Sequence, residues 1–158
     1  MSSLNFETAS ETILAGTESF QASHIDVIET VIATLDQGES AMVSHDKDED
    51  GYLWKFTYGS VAVYVQLTGS SDEDTLTVWA PILKLPVENQ TELMQELLAM
   101  NCGETLEACF GISKQDVLVL ASRILADINP GEISRLMTIV ATIADETDDV
   151  LQEKYPAI

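Results

Sequence analysis

Positive charge is scarce in this chain. Lys and Arg together number 7 against 27 Asp plus Glu, for a formal net charge of -20 over 158 residues. That excess repels phosphate backbones and anionic headgroups, so nucleic acid and membrane surfaces are not expected partners, whereas a basic protein surface is attracted. Histidine is nearly missing as well: His24 and His45 are the only two, and His45 with Asp46 and Asp48 is the one conceivable metal or acid-base group. Cysteine is limited to Cys102 and Cys109. One falls near a predicted helix end and the other in a predicted strand, at a spacing that matches no zinc or redox motif, so both are expected to be buried and reduced. No apolar run approaches membrane-spanning length, and Met1-Ser2-Ser3-Leu4-Asn5-Phe6-Glu7 has neither the basic start nor the apolar block of a secretory signal, so a cytoplasmic protein is expected. A nucleophile elbow, a phosphate loop, a dinucleotide glycine fingerprint and a histidine pair are all missing. The expectation is a non-enzyme with no catalytic residue and no cofactor.

What is present is a strong pattern of periods. Residues 1–22 are rich in Ser, Thr and Glu and read as a loosely ordered polar tail; residues 23–158 read as one α+β domain, long enough to bury roughly 70% of the unfolded surface. Ser23 and Asp26 form a helix start, followed by Ile25, Ile28, Ile32 and Leu35 at helical spacing and a stop at Gly38. From Ala41 the period becomes two. Tyr52, Trp54, Phe56 and Tyr58 alternate with Leu53, Lys55 and Thr57, as do Val61, Val63, Val65 and Leu67 with Ala62, Tyr64, Gln66 and Thr68 after Gly59-Ser60. A Gly-first two-residue turn of the II′ kind there sets Tyr58 opposite Val61, Phe56 opposite Val63, Trp54 opposite Val65 and Tyr52 opposite Leu67. Lys55, Thr57, Tyr64 and Gln66 take the reverse face.

A further strand is predicted over Thr75–Ile82, closed down by Pro81 and Pro86, and residues 40–47 have room for a short one. Asn89 with Glu92 predicts the start of a second helix with the stripe Leu93, Met94, Leu97 and Leu98. Leu106–Ile112 and Val117–Ala126 read as a hairpin joined at residues 113–116. Asn129, Pro130 and Glu132 give three agreeing start signals for a long last helix whose stripe is Ile133, Leu136, Met137, Val140, Ile143, Ala144, Thr147 and Leu151. The order is α-β-β-β-α-β-β-α: an antiparallel sheet flanked by helices, with the last helix lying across it.

Two surface features carry possible binding. Asp46-Lys47-Asp48-Glu49-Asp50-Gly51 matches the opening of a calcium loop, with Asp46, Asp48 and Asp50 as candidate ligands. Its twelfth position is Thr57 instead of Glu and strand follows instead of helix, so an acidic hairpin turn is favoured. The turns 46–51 and 69–74 are expected at one end of the sheet, which would gather Asp46, Asp48, Glu49, Asp50, Asp72, Glu73 and Asp74 on one rim able to steer a basic partner. The stripe Tyr52, Trp54, Phe56, Tyr58 reads as core, because it lines up with the valines.

Several stretches carry a family likeness: Leu53-Trp54-Lys55-Phe56 with Val61-Ala62-Val63-Tyr64-Val65, the helix Glu92 to Asn101, the strand Val117-Leu118-Val119-Leu120-Ala121, and the tail Ile143-Ala144-Asp145-Glu146 to Lys154-Tyr155-Pro156. With them the region from about Ser23 to Ile158 resembles the YbjN-type family of bacterial proteins, often labelled sensory-transduction regulators and similar in fold to class I type III secretion chaperones. The resemblance implies a chaperone-like or regulatory module that binds another protein, commonly as a homodimer. It transfers no catalytic motif and no site residue. The alternative expectation is a sensor of calcium or a small ligand that uses the acidic turns 46–51 and 72–74.

Overall fold

The computed structural model describes residues 23–38, 41–45 and 51–158. The polar stretch 1–22 lies outside them. The elements are α1 (Ser23–Leu35), β1 (Met42–His45), β2 (Tyr52–Tyr58), β3 (Val61–Leu67), β4 (Thr75–Lys84), α2 (Gln90–Asn101), β5 (Cys109–Ser113), β6 (Asp116–Ile124) and α3 (Pro130–Lys154). This is the expected α+β order with the short strand β1 added in front of the β2–β3 hairpin. The six strands lie in the order β1-β2-β3-β4-β6-β5, and each adjacent pair is antiparallel.

The β2–β3 register is the predicted one, from Tyr58 opposite Val61 to Tyr52 opposite Leu67. Gly59 has a φ of 55° while Ser60 is not left-handed, as the II′ type of turn requires. Alternation then sorts the side chains. Trp54, Phe56, Val61, Val63, Val65, Leu67, Leu76, Val78, Ala80, Val117, Val119 and Ala121 are buried on one face. Across them lies α3, burying Ile133, Leu136, Met137, Val140, Ala144 and Leu151, and α1 adds Ile28 and Ile32. All three described helices pack on this side, α2 against β5 at its end.

The start of α3 is the predicted capping box: the Asn129 side chain accepts from Glu132 N–H at 3.0 Å, and the Glu132 carboxylate accepts from Asn129 N–H at 3.2 Å. The α2 start differs from expectation. Asn89 is left-handed and makes no side-chain cap; just upstream of the helix, the Gln90 side-chain Oε1 accepts from Val87 N–H at 3.3 Å. A left-handed backbone turns the Asn89 side chain away from the helix N–H groups that a cap must reach. Strand β4 also runs past Pro81 to Lys84. Its pairing with β3 ends at Trp79, so that flank of Pro81 has no ladder bond to lose, and a bulge between Pro81 and Leu83 absorbs the irregularity. The last hairpin is tighter than predicted, with Ser113 and Asp116 already paired in strands. Leu106, expected in β5, is left-handed and exposed in the loop before it.

Candidate functional site

Because every described helix lies on one face, no described element covers the other face of the sheet. One cross-strand row spans its whole width: Met42, Lys55, Tyr64, Trp79, Leu120 and Cys109, each opposite the next. Tyr64 and Trp79 stack with ring centroids 5.4 Å apart and an interplanar angle of 11°. The Lys55 ammonium lies 5.7 Å from the Tyr64 centroid, so cation, ring and ring run side by side. Leu53, Pro81 and Leu118 share the face and are half-buried, while Ile124 and Met42 are 60% and 62% exposed. Gly111 leaves space for Leu120: a Cβ built there would stand 2.9 Å from the Leu120 Cδ2.

Charge is what distinguishes this surface. By strand alternation its charged residues are Lys55, Lys84 and Asp116, and Lys84 and Asp116 are cross-strand partners at one rim. In a chain with 27 acidic residues, Asp116 is the single acid on the described open face. The expected water-facing side is thus less polar than its β2 and β3 residues suggested. Trp79 was legible only as an aromatic on the polar parity of β4, set against Leu76, Val78 and Ala80.

The edges of the sheet are plugged where described contacts reach them. On β5, the Asn101 Nδ2 donates to the Phe110 carbonyl at 3.2 Å and the Asn101 Oδ1 accepts from Phe110 N–H at 2.7 Å, so one side chain satisfies both outward backbone groups. On β2, beyond the reach of β1, Thr57 N–H donates to Asp36 Oδ1 at 3.1 Å and the Thr57 carbonyl accepts from Gln37 N–H at 3.0 Å. Beside α2 there is a second apolar surface, a groove of about 230 Å³ lined by Met94, Leu97, Leu98, Asn101, Phe110, Gly111 and Ile112.

The acidic candidates separate. Asp46, Asp48 and Asp50, with Glu49, lie outside the described residues. Asp72 and Glu73 are exposed in the β3–β4 turn. Asp74 in that turn is a structural group: its carboxylate accepts from Ser71 Oγ at 2.7 Å, Ser71 N–H at 2.8 Å and Thr68 Oγ1 at 2.9 Å. These bonds, the Ser71 hydroxyl first, hold its pKa below the ordinary value. His45 ends β1 and His24 is half-buried on α1. Among the described residues no three His, Cys, Asp or Glu side chains gather as metal ligands.

One polar cluster escaped the sequence reading. At the β2–β3 turn, Ser60 N–H donates to Asp145 Oδ1 at 3.0 Å and Ser60 Oγ donates to the buried Asp148 Oδ2 at 2.7 Å. It fastens the hairpin to α3. Helical spacing gives Asp145 and Asp148 a common face, but only the tertiary fold puts Ser60 beneath them.

The cysteines correct another expectation. Cys102 and Cys109 are free thiols and both are exposed. Cys102 caps the end of α2, and Cys109 is the first residue of an edge strand on its open side, so neither has a layer above it.

No helix among the described residues is long and apolar enough to cross a membrane. No curated protein matches the chain. The YbjN family model, described as "Putative bacterial sensory transduction regulator", matches residues 24–153. That span takes in everything from α1 through nearly all of α3, and the chain belongs to the YbjN family.

Proposed function

We propose that this chain is a non-enzymatic, cytoplasmic, homodimeric module of regulatory or chaperone-like kind, and that its open sheet face docks another protein. The carrying observation is the Lys55-Tyr64-Trp79-Leu120 row: an aromatic and aliphatic surface nearly free of acid on a molecule of net charge -20. Tyr and Trp dominate the energetic centres of protein interfaces, where charged side chains are depleted. At the β5 edge, where Asn101 satisfies the Phe110 backbone, docking on the face is favoured over strand addition. The partner surface that fits is uncharged at its centre and basic where it meets the exposed Asp72 and Glu73. Neither nucleic acid nor membrane suits this charge distribution.

The test combines Trp79→Ala with Tyr64→Ser. Both side chains are half-buried on the open face, so the variant should keep a cooperative melt while losing the proteins that the wild type retains from its native host. Retention of an unchanged set by a folded variant would overturn the face. Light scattering addresses the dimer, and a strictly monomeric mass at micromolar concentration would remove it.

A further inference from the structure

Both arginines of the chain, Arg123 and Arg135, line one small cavity at the start of α3. Arg123 has the strand parity of the buried Val117, Val119 and Ala121, so the cavity lies on the helix side of the sheet, apart from the face proposed to dock a protein. Its walls are Arg123 at the end of β6, Glu132 and Arg135 in the first turns of α3, and Glu107 in the loop before β5, over a floor of the buried Leu136 and Ile139. The volume is about 150 Å³, well below the roughly 300 Å³ at which drug-sized pockets begin, so only a small molecule fits. Glu107 and Arg135 neutralise one another through two hydrogen bonds, Nε to Oε1 at 2.7 Å and Nη2 to Oε2 at 3.2 Å. One charge of each sign is left over. Arg123 has no hydrogen-bond or ion-pair partner among the described residues. The Arg135 hydrogen bond first, and Arg123 through space, hold the Glu107 pKa below its ordinary value, which sets Arg123 close to that carboxylate. Glu132 gives its Oε2 to the Asn129 N–H, and no described group takes its other oxygen.

We propose that this cavity holds a free aliphatic α-amino acid, its carboxylate on the Arg123 guanidinium, its ammonium on Glu132 and its side chain over Leu136 and Ile139. The charge pattern selects that class. A lone anion would face the unneutralised Glu132 and a lone cation the unpaired Arg123, whereas a zwitterion meets both with charge-assisted hydrogen bonds. The planar, forked guanidinium takes a carboxylate through two parallel bonds. A peptide terminus carries only one of the two charges, so the free amino acid fits where a chain end does not. Bound there, the ligand links β6, the start of α3 and the loop before β5, and the melting temperature reports its occupancy.

Isothermal titration of the full chain with L-leucine should give saturable one-to-one binding with a Kd of about 1 mM or below, together with a raised melting temperature. N-acetyl-leucine, which keeps only the carboxylate, and leucine amide, which keeps only the ammonium, should each bind at least about tenfold more weakly. Arg123→Ala should melt like the unliganded wild type, having no partner to lose, and bind L-leucine about tenfold more weakly or worse. Glu132→Gln retains an oxygen for the Asn129 N–H and should weaken binding as well, so the reading does not hang on one variant. No saturable heat with L-leucine, equal affinity for either blocked form, or undiminished binding by the folded variants would each overturn the proposal.

Discussion

A single glycine and a single carboxylate show how much hangs on individual residues. Gly59 combines a left-handed φ of 55° with a position where an added Cβ would stand 2.0 Å from the Asp145 Oδ1. An L side chain there costs about 1–2 kcal/mol in backbone strain alone, and Asp145 would have to release Ser60. Gly59→Ala is therefore expected to lower stability by at least that amount in urea unfolding, and Asp145→Ala in the same chain should recover only the steric part. Glu96 accepts from the Tyr155 hydroxyl and, at 2.9 Å, from the Lys154 ammonium. The Tyr155 bond first, then Lys154, holds the Glu96 pKa below its ordinary value of 4.5, while the same bond and burial raise Tyr155 above 10.0. The carboxylate contribution is complete above pH 4.5 and is lost as pH falls through the folded pKa. The tyrosine contribution is complete below pH 10.0 and is lost as pH rises through its folded pKa. Glu96→Gln should flatten both limbs of a urea-midpoint profile against pH; limbs unchanged in steepness would show the pair to be inconsequential. Neither partnership was legible in advance, because Glu96 and Tyr155 lie on different helical segments and meet only after α2 and the end of α3 have docked.

Elements were more readable than contacts. The α3 capping box came whole from Asn129, Pro130 and Glu132, since its partners are three residues apart and need no tertiary help. Asn129→Ala should cost about 1 kcal/mol, read as a shifted urea midpoint with an unchanged slope. The same signature failed at Asn89, where the chain arrives from β4 in a left-handed turn and no side chain caps the helix. Hydrophobic period likewise placed β2 and β3 in correct register but overran at β5. Leu106 is apolar, yet its backbone is left-handed and cannot join a ladder. The plug at the β5 edge gives the element-scale prediction. Asn101→Ala frees the N–H and carbonyl of Phe110, and analytical ultracentrifugation should then show more concentration-dependent association than for the wild type. An unchanged sedimentation profile would show that the edge is protected by something other than this amide.

At the scale of the molecule the two dominant facts are one sealed face and an unbalanced charge. The ion pairs described are Arg135–Glu107 and Lys154–Glu96, with the basic side chains 58% and 50% exposed, so screening removes little attraction. It removes much repulsion, because the net charge is -20. The melting temperature is expected to rise as sodium chloride is increased to about 0.5 M, where the Debye length is only a few ångströms; a fall would mean that attractive pairs outweigh the acid excess. Trp54, 1% exposed beneath the helices, anchors the sealed side. Its replacement by Ala should cost about 3–5 kcal/mol, in contrast to the small effect expected for Trp79 on the open face.

By itself the sequence determined which residues alternate, where helices begin and which side of each strand is apolar, because those properties depend on neighbours a few positions away and on the periods of the backbone. The tertiary structure alone decided that the three described helices share one side, that Tyr64 and Trp79 from neighbouring strands stack on the other, and that Asn101 closes an edge. Those outcomes depend on strand order and helix docking, which bring together residues distant in the chain and leave no periodic trace in it.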